Sequence, residues 1–268
     1  MKKGLVMILS TFIVMAAMFQ GCNKNDSTAP EEPTVVPATN TPTPIAWSET
    51  ILIDDMEYLA TGEPGADNAN AIPASKNGPG YWYTYDDLAD NGDSIVWPMS
   101  ETAFTKYGYP APFPTFEMTS PGNGNTGYCA RVTGVVTTTF QWGFVGMGVN
   151  FLTVNADQSK KPVDISNMTG VRFYVKGDGK EYRIKLPSQY SGFLDGVSDN
   201  HFGRKFTSTT DWTQVDIPFT NFTQESGWGT TPINLTDALK YVDSIQFQTV
   251  GQPWSSIDLS IDNLEVYK

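Results

Sequence analysis

Apolar and polar residues alternate along much of the chain, in short runs separated by clusters of Gly, Pro, Asn and Asp. Val171, Phe173 and Val175 take every second position of one run, and Ile245 and Phe247 do so in another. A period of two is typical of β-strands with one buried and one solvated face. The pattern therefore predicts an all-β domain, built as a sandwich or jelly roll. The predicted strands cover residues 51–57, 81–85, 115–118, 128–136, 142–151, 170–176, 182–186, 201–207, 213–217, 244–250 and 256–267.

One short segment between two predicted strands reads Lys176-Gly177-Asp178-Gly179-Lys180. Glycine and aspartate at such a position predict a tight hairpin turn. A phosphate-binding loop would have to lead from a strand into a helix, and no helical pattern follows here. We therefore interpret the segment as a turn between paired strands.

The composition excludes two other classes of protein. The 268 residues include 17 Lys and Arg and 29 Asp and Glu, which gives a formal net charge of −12. A nucleic-acid-binding protein needs a basic surface to displace counterions from phosphate, so we expect no nucleic-acid partner. Charged residues make up only 17% and aromatic residues 13%, with 24 Gly and 18 Pro, which disfavours a helical bundle or coiled coil.

The N-terminus carries the features of an export signal. Met1-Lys2-Lys3 precedes an apolar run over residues 4–19, which is about the length of a signal-peptide core. The run ends in Phe19-Gln20-Gly21-Cys22, which resembles the lipobox of bacterial lipoproteins. That resemblance implies a signal peptide over residues 1–21 and a mature protein lipidated at Cys22, anchored in the bacterial cell envelope. An ordinary secretory signal, with a secreted product, is the alternative.

Residues 22–48 are rich in Pro and Thr. Such a composition buries little apolar surface and favours extended polyproline geometry, so we expect a disordered tether. The jelly-roll domain is then expected over residues 49–268. If Cys22 carries lipid, Cys129, the only other cysteine, has no disulfide partner within the chain, and its apolar surroundings predict a buried structural residue.

Several segments of the predicted domain resemble the galactose-binding-like jelly rolls. Among these, the chain is most similar to family 11 carbohydrate-binding modules and to the related complex I intermediate-associated domains. The order and spacing of the matching segments carry the resemblance, rather than any single one. The segments cover residues 54–57, 163–173, 174–179, 212–219 and 258–264, and a subgroup of bacterial extracellular domains also shares residues 80–87, 142–143 and 198–201.

The resemblance implies that one sheet has a concave outer face that binds a glycan. If Tyr182 and Leu186 point into the core, Arg183 and Lys185 must point outward. Amide and cationic groups suit sugar hydroxyls, which both donate and accept hydrogen bonds. A merely solvated sheet face is the alternative for each residue. The expected polar ligand-binding residues are Arg183, Lys185, Asp199, His201, Gln246 and Gln248.

Aromatic rings provide the other half of sugar recognition, because ring faces stack on the C–H groups of a pyranose. Tyr81, Tyr83 and Tyr85 share one side of a predicted strand, and Trp82 lies on the other. Either side is compatible with burial. We expect Trp82 and Tyr83 at the rim of the groove, with Trp142 beside them, although core packing is the more common role of a single aromatic residue in a β-protein.

The resemblance also implies a structural calcium ion that joins the first strand to the last. The matching positions are Asp55, Glu57 and Asp262, and carboxylates are the oxygen ligands that calcium prefers. A solvated acidic surface without metal is the alternative.

These features predict a non-catalytic carbohydrate-binding lipoprotein, expected to be monomeric, that holds a β-glucan-like polysaccharide. Membrane attachment is expected through the lipid anchor only. Two alternatives stay open. One is a glycan-degrading enzyme that uses carboxylates in the groove, since related modules are often attached to glycoside hydrolases. The other is an envelope or assembly protein whose groove binds a protein partner.

Overall fold

The computed structural model describes residues 44–46, 48–57, 81–110, 116–151, 162–191, 200–226, 233–251 and 253–268. These residues form a jelly-roll β-sandwich of two antiparallel sheets, with a two-stranded parallel pair beside them. The predicted all-β fold is confirmed. The strands are β1 (Ile45–Ala46), β2 (Ile51–Asp54), β3 (Tyr81–Asp86), β4 (Ile95–Trp97), β5 (Ala130–Val136), β6 (Val145–Asn150), β7 (Val163–Asp164), β8 (Gly170–Gly177), β9 (Glu181–Leu186), β10 (Phe202–Thr207), β11 (Thr213–Pro218), β12 (Ser244–Thr249) and β13 (Trp254–Tyr267).

The two sheets have well-defined strand orders. The five-stranded sheet runs β10-β9-β12-β6-β3, and the six-stranded sheet runs β11-β8-β13-β5-β4, with β2 also paired to β13. Neighbours in both sheets are antiparallel. The order places β3 and β4, which follow each other along the chain, at the ends of the two sheets.

The core lies between the sheets and is built by the alternation seen in the sequence. Phe173 of β8 packs edge-on against Phe206 of β10 and Phe247 of β12, with ring centroids 5.3 and 5.2 Å apart. All three rings are buried. Because Phe173 belongs to one sheet and the other two rings to the opposite sheet, these contacts join the two layers across the sandwich.

The predicted hairpin at residues 176–180 is wrong. β8 and β9 lie in different sheets, so the turn between them carries the chain from one layer to the other. Asp178 holds this crossing: its carboxylate accepts hydrogen bonds from Lys180 Nζ at 2.7 Å and from the backbone N–H of Asp258 at 3.2 Å. Gly179 has φ of +77°, which favours glycine at the tightest point of the turn.

Other differences from the prediction concern short elements. Residues 116–118 form no strand, and only Thr119 makes an isolated bridge, to Cys129. The three-residue strand β4 was not predicted. The described helices are short: α1 covers Glu101–Lys106, α2 covers Leu235–Leu239, and single 3-10 turns occur at Asp87–Asp90, Asn123–Asn125 and Phe219–Asn221.

The start and end of the folded unit meet. The backbone N–H of Lys268 donates to Thr50 Oγ1 at 3.1 Å, beside the pair formed by β2 and β13. Just before Thr50, β1 pairs in parallel with β7, so the last residues of the predicted tether form regular structure beside the sandwich.

The predicted signal peptide, Cys22 and Asp199 lie outside the described residues, as does most of the predicted tether. Within the described ranges, no helix is both long and apolar enough to cross a bilayer. Cys129 is buried and free, as predicted, and burial raises the pKa of its thiol to about 11.

Candidate functional site

The five-stranded sheet has one surface that points away from the core, here called the outer face. Strand register lines up its side chains in rows across the sheet. Tyr83 lies opposite Gly148, which lies opposite Gln246 and then Lys185. The next row begins with Tyr85 and continues through Gly146, Gln248 and Arg183. The outer face therefore has aromatic residues at one edge, glycines next to them, and amide and cationic groups in the middle.

Four aromatic rings form a continuous row along the β3 side of the outer face, here called the aromatic row. Tyr81 and Tyr83 have ring centroids 6.2 Å apart, Tyr83 and Tyr85 6.1 Å, and Tyr85 and Phe144 6.0 Å. The three tyrosines are half-buried. Spacings of this size are favourable for aromatic pairs, and the row provides a flat apolar strip.

The glycines of β6 leave the space that the tyrosines occupy. A Cβ atom at Gly148 would lie 2.8 Å from Cζ of Tyr83 and 2.9 Å from Cγ of Gln246. A Cβ atom at Gly146 would lie 2.6 Å from Cζ of Tyr85. A side chain at either position would push the ring away, so the alternation Val-Gly-Met-Gly-Val in β6 determines where the aromatic row lies.

Hydrogen bonds fix the polar groups next to the aromatic row. Gln246 Nε2 donates to the Tyr83 hydroxyl at 2.9 Å, and Lys185 Nζ donates to Gln248 Oε1 at 3.2 Å. Tyr85 donates to the same Gln248 oxygen at 3.4 Å. Burial raises the pKa of Tyr83 to about 12, so its hydroxyl keeps its proton at physiological pH. Beside the aromatic row, the face thus combines neutral phenols and amides with the ammonium group of Lys185.

Phe144 is positioned by a buried carboxylate. The backbone N–H of Phe144 donates to Asp87 Oδ2 at 3.3 Å, and the hydroxyl of Ser94 donates to the same oxygen at 2.6 Å. Ser94 Oγ in turn accepts from the backbone N–H of Thr137 at 3.1 Å. Asp87 therefore ties both ends of the β5–β6 connection to the segment that follows β3.

Arg183 points to the outer face as predicted, but it is not an accessible groove residue. It is only 5% exposed. Its Nη2 donates to the carbonyls of His201 at 3.1 Å and Thr223 at 3.0 Å, and Nη1 lies 3.0 Å from Glu225 Oε1. Burial lowers the pKa of Arg183, although the charge of Glu225 opposes the shift. The guanidinium joins β9 to the segment that follows β11, so its role here is structural.

Trp82 is in the core and not at the rim of the groove, so this expectation is wrong. Its side chain is 2% exposed, and its Nε1 donates to Asp54 Oδ2 at 2.8 Å. Its ring lies 5.8 Å from that of Phe116. Because side chains alternate along β3, burying Trp82 places Tyr81, Tyr83 and Tyr85 on the outer face.

The other expected site residues have separate places in the fold. Lys185, Gln246 and Gln248 lie half-buried on the outer face beside Tyr83. Trp142 lies in the turn before β6 and not on a strand; it is 68% exposed and packs edge-on against Phe140 at 5.7 Å. His201 precedes β10 and contributes its carbonyl to Arg183.

The three predicted calcium ligands, Asp55, Glu57 and Asp262, are here called the acidic cluster, and two of them bond to the loop before β5. Glu57 accepts the backbone N–H of Tyr128 at 2.9 Å, and Asp262 accepts that of Asn123 at 2.7 Å. Burial, with further contributions from Glu57 and Asp55, raises the pKa of Asp262 to about 6.

Carboxylates of the acidic cluster thus contact the loop directly. Among the described residues, no three His, Cys, Asp or Glu side chains are grouped as metal ligands. The calcium ion implied by the resemblance stays a prediction, which chelation can test.

The site contains aromatic residues that the sequence interpretation did not select. Alternation places Tyr81 and Tyr85 on the same side as Tyr83, but the predicted site includes neither of them, nor Phe144. The available signal was alternation along β3 together with the two glycines of β6. To use this signal, one must also know that Trp82, on the opposite side of β3, is buried and bonded to Asp54.

The fold and the outer face define a jelly-roll β-sandwich with an aromatic sheet face. The sequence profile of the complex I intermediate-associated protein 30 (CIA30) family matches residues 116–261, which is more than half of the chain. The chain belongs to this family. No curated protein sequence matches it significantly.

Three solved structures show distant similarity. A family 11 carbohydrate-binding module from Clostridium thermocellum, in complex with a β-1,3-1,4-mixed-linked tetrasaccharide, is 18% identical, covering 82% of this chain and 95% of that chain with a TM-score of 0.48. A family 30 carbohydrate-binding module is 14% identical, covering 66% and 92%, with a TM-score of 0.43. An exo-β-agarase is 10% identical, covering 82% and 25%, with a TM-score of 0.39. At this distance, none of them assigns a ligand to this chain.

Proposed function

We propose that this protein is a non-catalytic carbohydrate-binding protein that holds a polysaccharide on the outer face. The observation that carries the proposal is the aromatic row lying directly beside fixed amide and ammonium groups. Tyr83 shows the combination most clearly, because its ring belongs to the aromatic row while its hydroxyl is bonded to Gln246. Rings and hydrogen-bonding groups within one row are what a sugar ring requires.

The aromatic row supplies the apolar part of binding. A pyranose has faces of C–H groups that stack on the electron-rich face of an aromatic ring, while its hydroxyls project sideways. Successive sugars of a linear chain can use successive rings, since the tyrosine centroids are spaced about evenly at 6.2 and 6.1 Å. A row of rings therefore favours an extended polymer over a single monosaccharide.

The charge of the outer face favours a neutral polymer such as a β-glucan. Arg183 is paired with Glu225, and Lys205 is paired with Glu181 at 3.1 Å. Lys185 contacts the amide oxygen of Gln248. A strongly anionic glycan would need several uncompensated cations for its carboxylates or sulfates, whereas amides match neutral hydroxyls.

Binding to this face should be modest in affinity. Each sugar hydroxyl exchanges a hydrogen bond to water for one to protein, and the net gain per bond is only about 0.5–1.5 kcal/mol. Much of that gain is offset by the ordering of the glycan. A holding function, in which a polymer contacts several rings at once, suits such weak individual contacts better than tight capture of a small molecule.

Retention in native gels that contain soluble mixed-linked β-1,3-1,4-glucan tests the proposal. Wild-type protein should be retarded, and Gln246→Ala should be retarded much less, because it loses the amide that orients Tyr83. Gln214→Ala is the matched control, since Gln214 lies exposed on β11 of the other sheet. Equal retardation of Gln246→Ala and wild type, or no retardation of wild type by any neutral glycan, would contradict the proposal. No release of reducing ends is expected, and such release would favour the enzyme alternative.

We also propose, from the N-terminal sequence, that the protein is exported and lipidated at Cys22 in the cell envelope. The apolar run, the cysteine and the Pro-rich segment after it support this proposal. A Cys22→Ser variant expressed in a bacterial host should move from the membrane fraction to the soluble periplasmic fraction or the medium. An unchanged membrane association would contradict the anchor.

Membership of the CIA30 family favours a second candidate, in which the outer face binds a protein partner. The family's name refers to association with an assembly intermediate of complex I. Affinity purification with wild type and Gln246→Ala separates the two candidates. A specific protein captured by wild type alone, together with no retardation in glycan gels, would support the protein partner.

A further inference from the structure

A pocket lies outside the outer face, next to β3. A pocket of about 260 Å³ opens between β3, the end of β4, α1 and the segment at residues 116–117. In the described part of the chain, β3 and β4 end their sheets, so the pocket lies where the two layers of the sandwich meet. Nothing in the proposed function uses it.

The pocket has a fixed floor. Trp82 and Phe116 are buried, and their rings lie 5.8 Å apart. The Trp82 indole is held by Asp54, and Thr84 of β3 donates to the carbonyl of Pro98 at 2.9 Å. The protein's own side chains and backbone thus hold the floor in place, which reduces the ordering that binding would require.

The walls of the pocket are aromatic and open to solvent. Trp97 is 62% exposed and Tyr109 is 51% exposed, and both line the pocket. Tyr109 is stacked on Phe104 at 5.6 Å. Among the described residues, six large hydrophobic side chains are exposed, and four of them fall within residues 95–109. Such a concentration of exposed apolar surface marks an interaction site more often than chance exposure does.

The size and chemistry of the pocket select a small, flat and uncharged ligand. Pockets for drug-sized ligands occupy roughly 300–1,000 Å³, so this one suits a smaller unit such as one sugar ring. Glu117 also lines the pocket, and a carboxylate accepts hydrogen bonds from neutral hydroxyls and repels anionic ligands.

The pocket is also continuous with the outer face. Tyr83 lines it and is at the same time the central tyrosine of the aromatic row. A glycan lying on the aromatic row can therefore pass over the edge of β3 into the pocket. Two linked contacts on one polymer raise the overall affinity, because the second contact forms at a high local concentration.

From these observations we infer that the pocket beside β3 is a second saccharide subsite, which takes one ring of the neutral glycan bound on the outer face. The inference rests on the proposed function for the class of ligand. Trp97 and Tyr109 provide the stacking surfaces, Glu117 accepts hydrogen bonds from sugar hydroxyls, and Tyr83 links the two subsites.

Glycan-gel retention and NMR titration with a β-1,3-1,4-mixed-linked tetrasaccharide test the inference. Trp97→Ala and Tyr109→Ala should each weaken binding about two- to tenfold, as expected for the loss of one stacked ring. Tyr107→Ala is the matched control: Tyr107 is 59% exposed in the same segment but does not line the pocket. The indole N–H signal of Trp97, assigned by its absence in Trp97→Phe, should shift during the titration of wild type.

The outcomes separate this inference from the proposed function. If the double variant Trp97→Ala, Tyr109→Ala binds like wild type while Gln246→Ala binds weakly, the outer-face function stands and the second subsite is wrong. If wild type binds no neutral glycan, both fall. If the double variant instead converts a dimer to a monomer in analytical ultracentrifugation, with glycan binding unchanged, the pocket is a contact between copies and the inference is overturned.

Discussion

Alternation along β9 predicts that Arg183 is an accessible groove residue, whereas the structure shows a buried residue with a structural role. Replacing Arg183 by alanine distinguishes these two interpretations. An exposed arginine on a binding face could be removed with little effect on stability. The observed guanidinium donates to two carbonyls and pairs with Glu225, and it is 5% exposed. Its removal should therefore destabilise the fold before it affects binding.

The size of the effect follows from these contacts. Hydrogen bonds that involve a charged group contribute about 1.5–3 kcal/mol each, and the two carbonyls would lose their donor. Part of this loss is offset because the guanidinium no longer has to be desolvated, and Glu225 can return to water since its side chain is 41% exposed. We therefore expect a loss of about 2–4 kcal/mol in the free energy of unfolding. For a domain of this size that corresponds to a fall in Tm of about 4–16 °C.

Thermal unfolding followed by circular dichroism measures the change, with Lys185→Ala as the matched control. Lys185 lies on the same strand and the same face, but it is half-buried and its ammonium donates to the neutral amide of Gln248. Its replacement should change the free energy of unfolding by less than about 1 kcal/mol and weaken glycan retention. If Arg183→Ala melts within about 1 °C of wild type and loses only glycan retention, the structural assignment of Arg183 is refuted.

Three further predictions follow from contacts described above. Trp82→Phe keeps a buried ring but leaves the Asp54 carboxyl group without its indole donor, so the free energy of unfolding should fall by about 1–3 kcal/mol. Glycan retention by the folded variant should be unchanged. A loss of retention at full stability would place Trp82 in the site. Burial favours a raised pKa for Asp178, but hydrogen bonds and the charge of Lys180 outweigh burial and hold the pKa below its ordinary value. Asp178 therefore stabilises the fold above about pH 4, and this stabilisation is lost as the pH falls through the lowered pKa. Urea unfolding should accordingly show Asp178→Asn to be less stable than wild type at pH 7 and nearly equal to it near pH 2, and a difference independent of pH would contradict the assignment. If the acidic cluster binds calcium, a calcium concentration of 100 Kd should stabilise the protein by about 2.7 kcal/mol over a chelated sample, and identical melting with and without chelator would count against the metal.

The period-two alternation was enough to predict the β-sandwich and most of its strands, because each strand has one face in the core. It could not show which strands share a sheet. The turn at Asp178 illustrates this: a tight Gly-Asp-Gly turn suits a hairpin and an inter-sheet crossing equally well, and the partner that decides is Asp258, 80 residues later. Tight turns are local, whereas sheet membership is a long-range property.

The site was predicted in part for the same reason. Alternation correctly placed Lys185, Gln246 and Gln248 on one face, but it is symmetric with respect to which side of β3 is buried. The hydrogen bond from Trp82 to Asp54 settles that question, and the two residues are 28 positions apart. The burial of Arg183 depends on carbonyls and a carboxylate contributed by a later segment. Contacts of this kind cannot be inferred from local spacing.

The hydrogen bond between Lys268 and Thr50 has a practical consequence for how the protein can be handled. Both residues adjoin β2 and β13 of the six-stranded sheet, whereas the aromatic row belongs to the other sheet. A biotin tag or a fluorescent fusion attached at Lys268 therefore leaves the molecule beside Thr50 and β2. Immobilised on a sensor chip through that tag, the domain should present its tyrosines to the flowing solution.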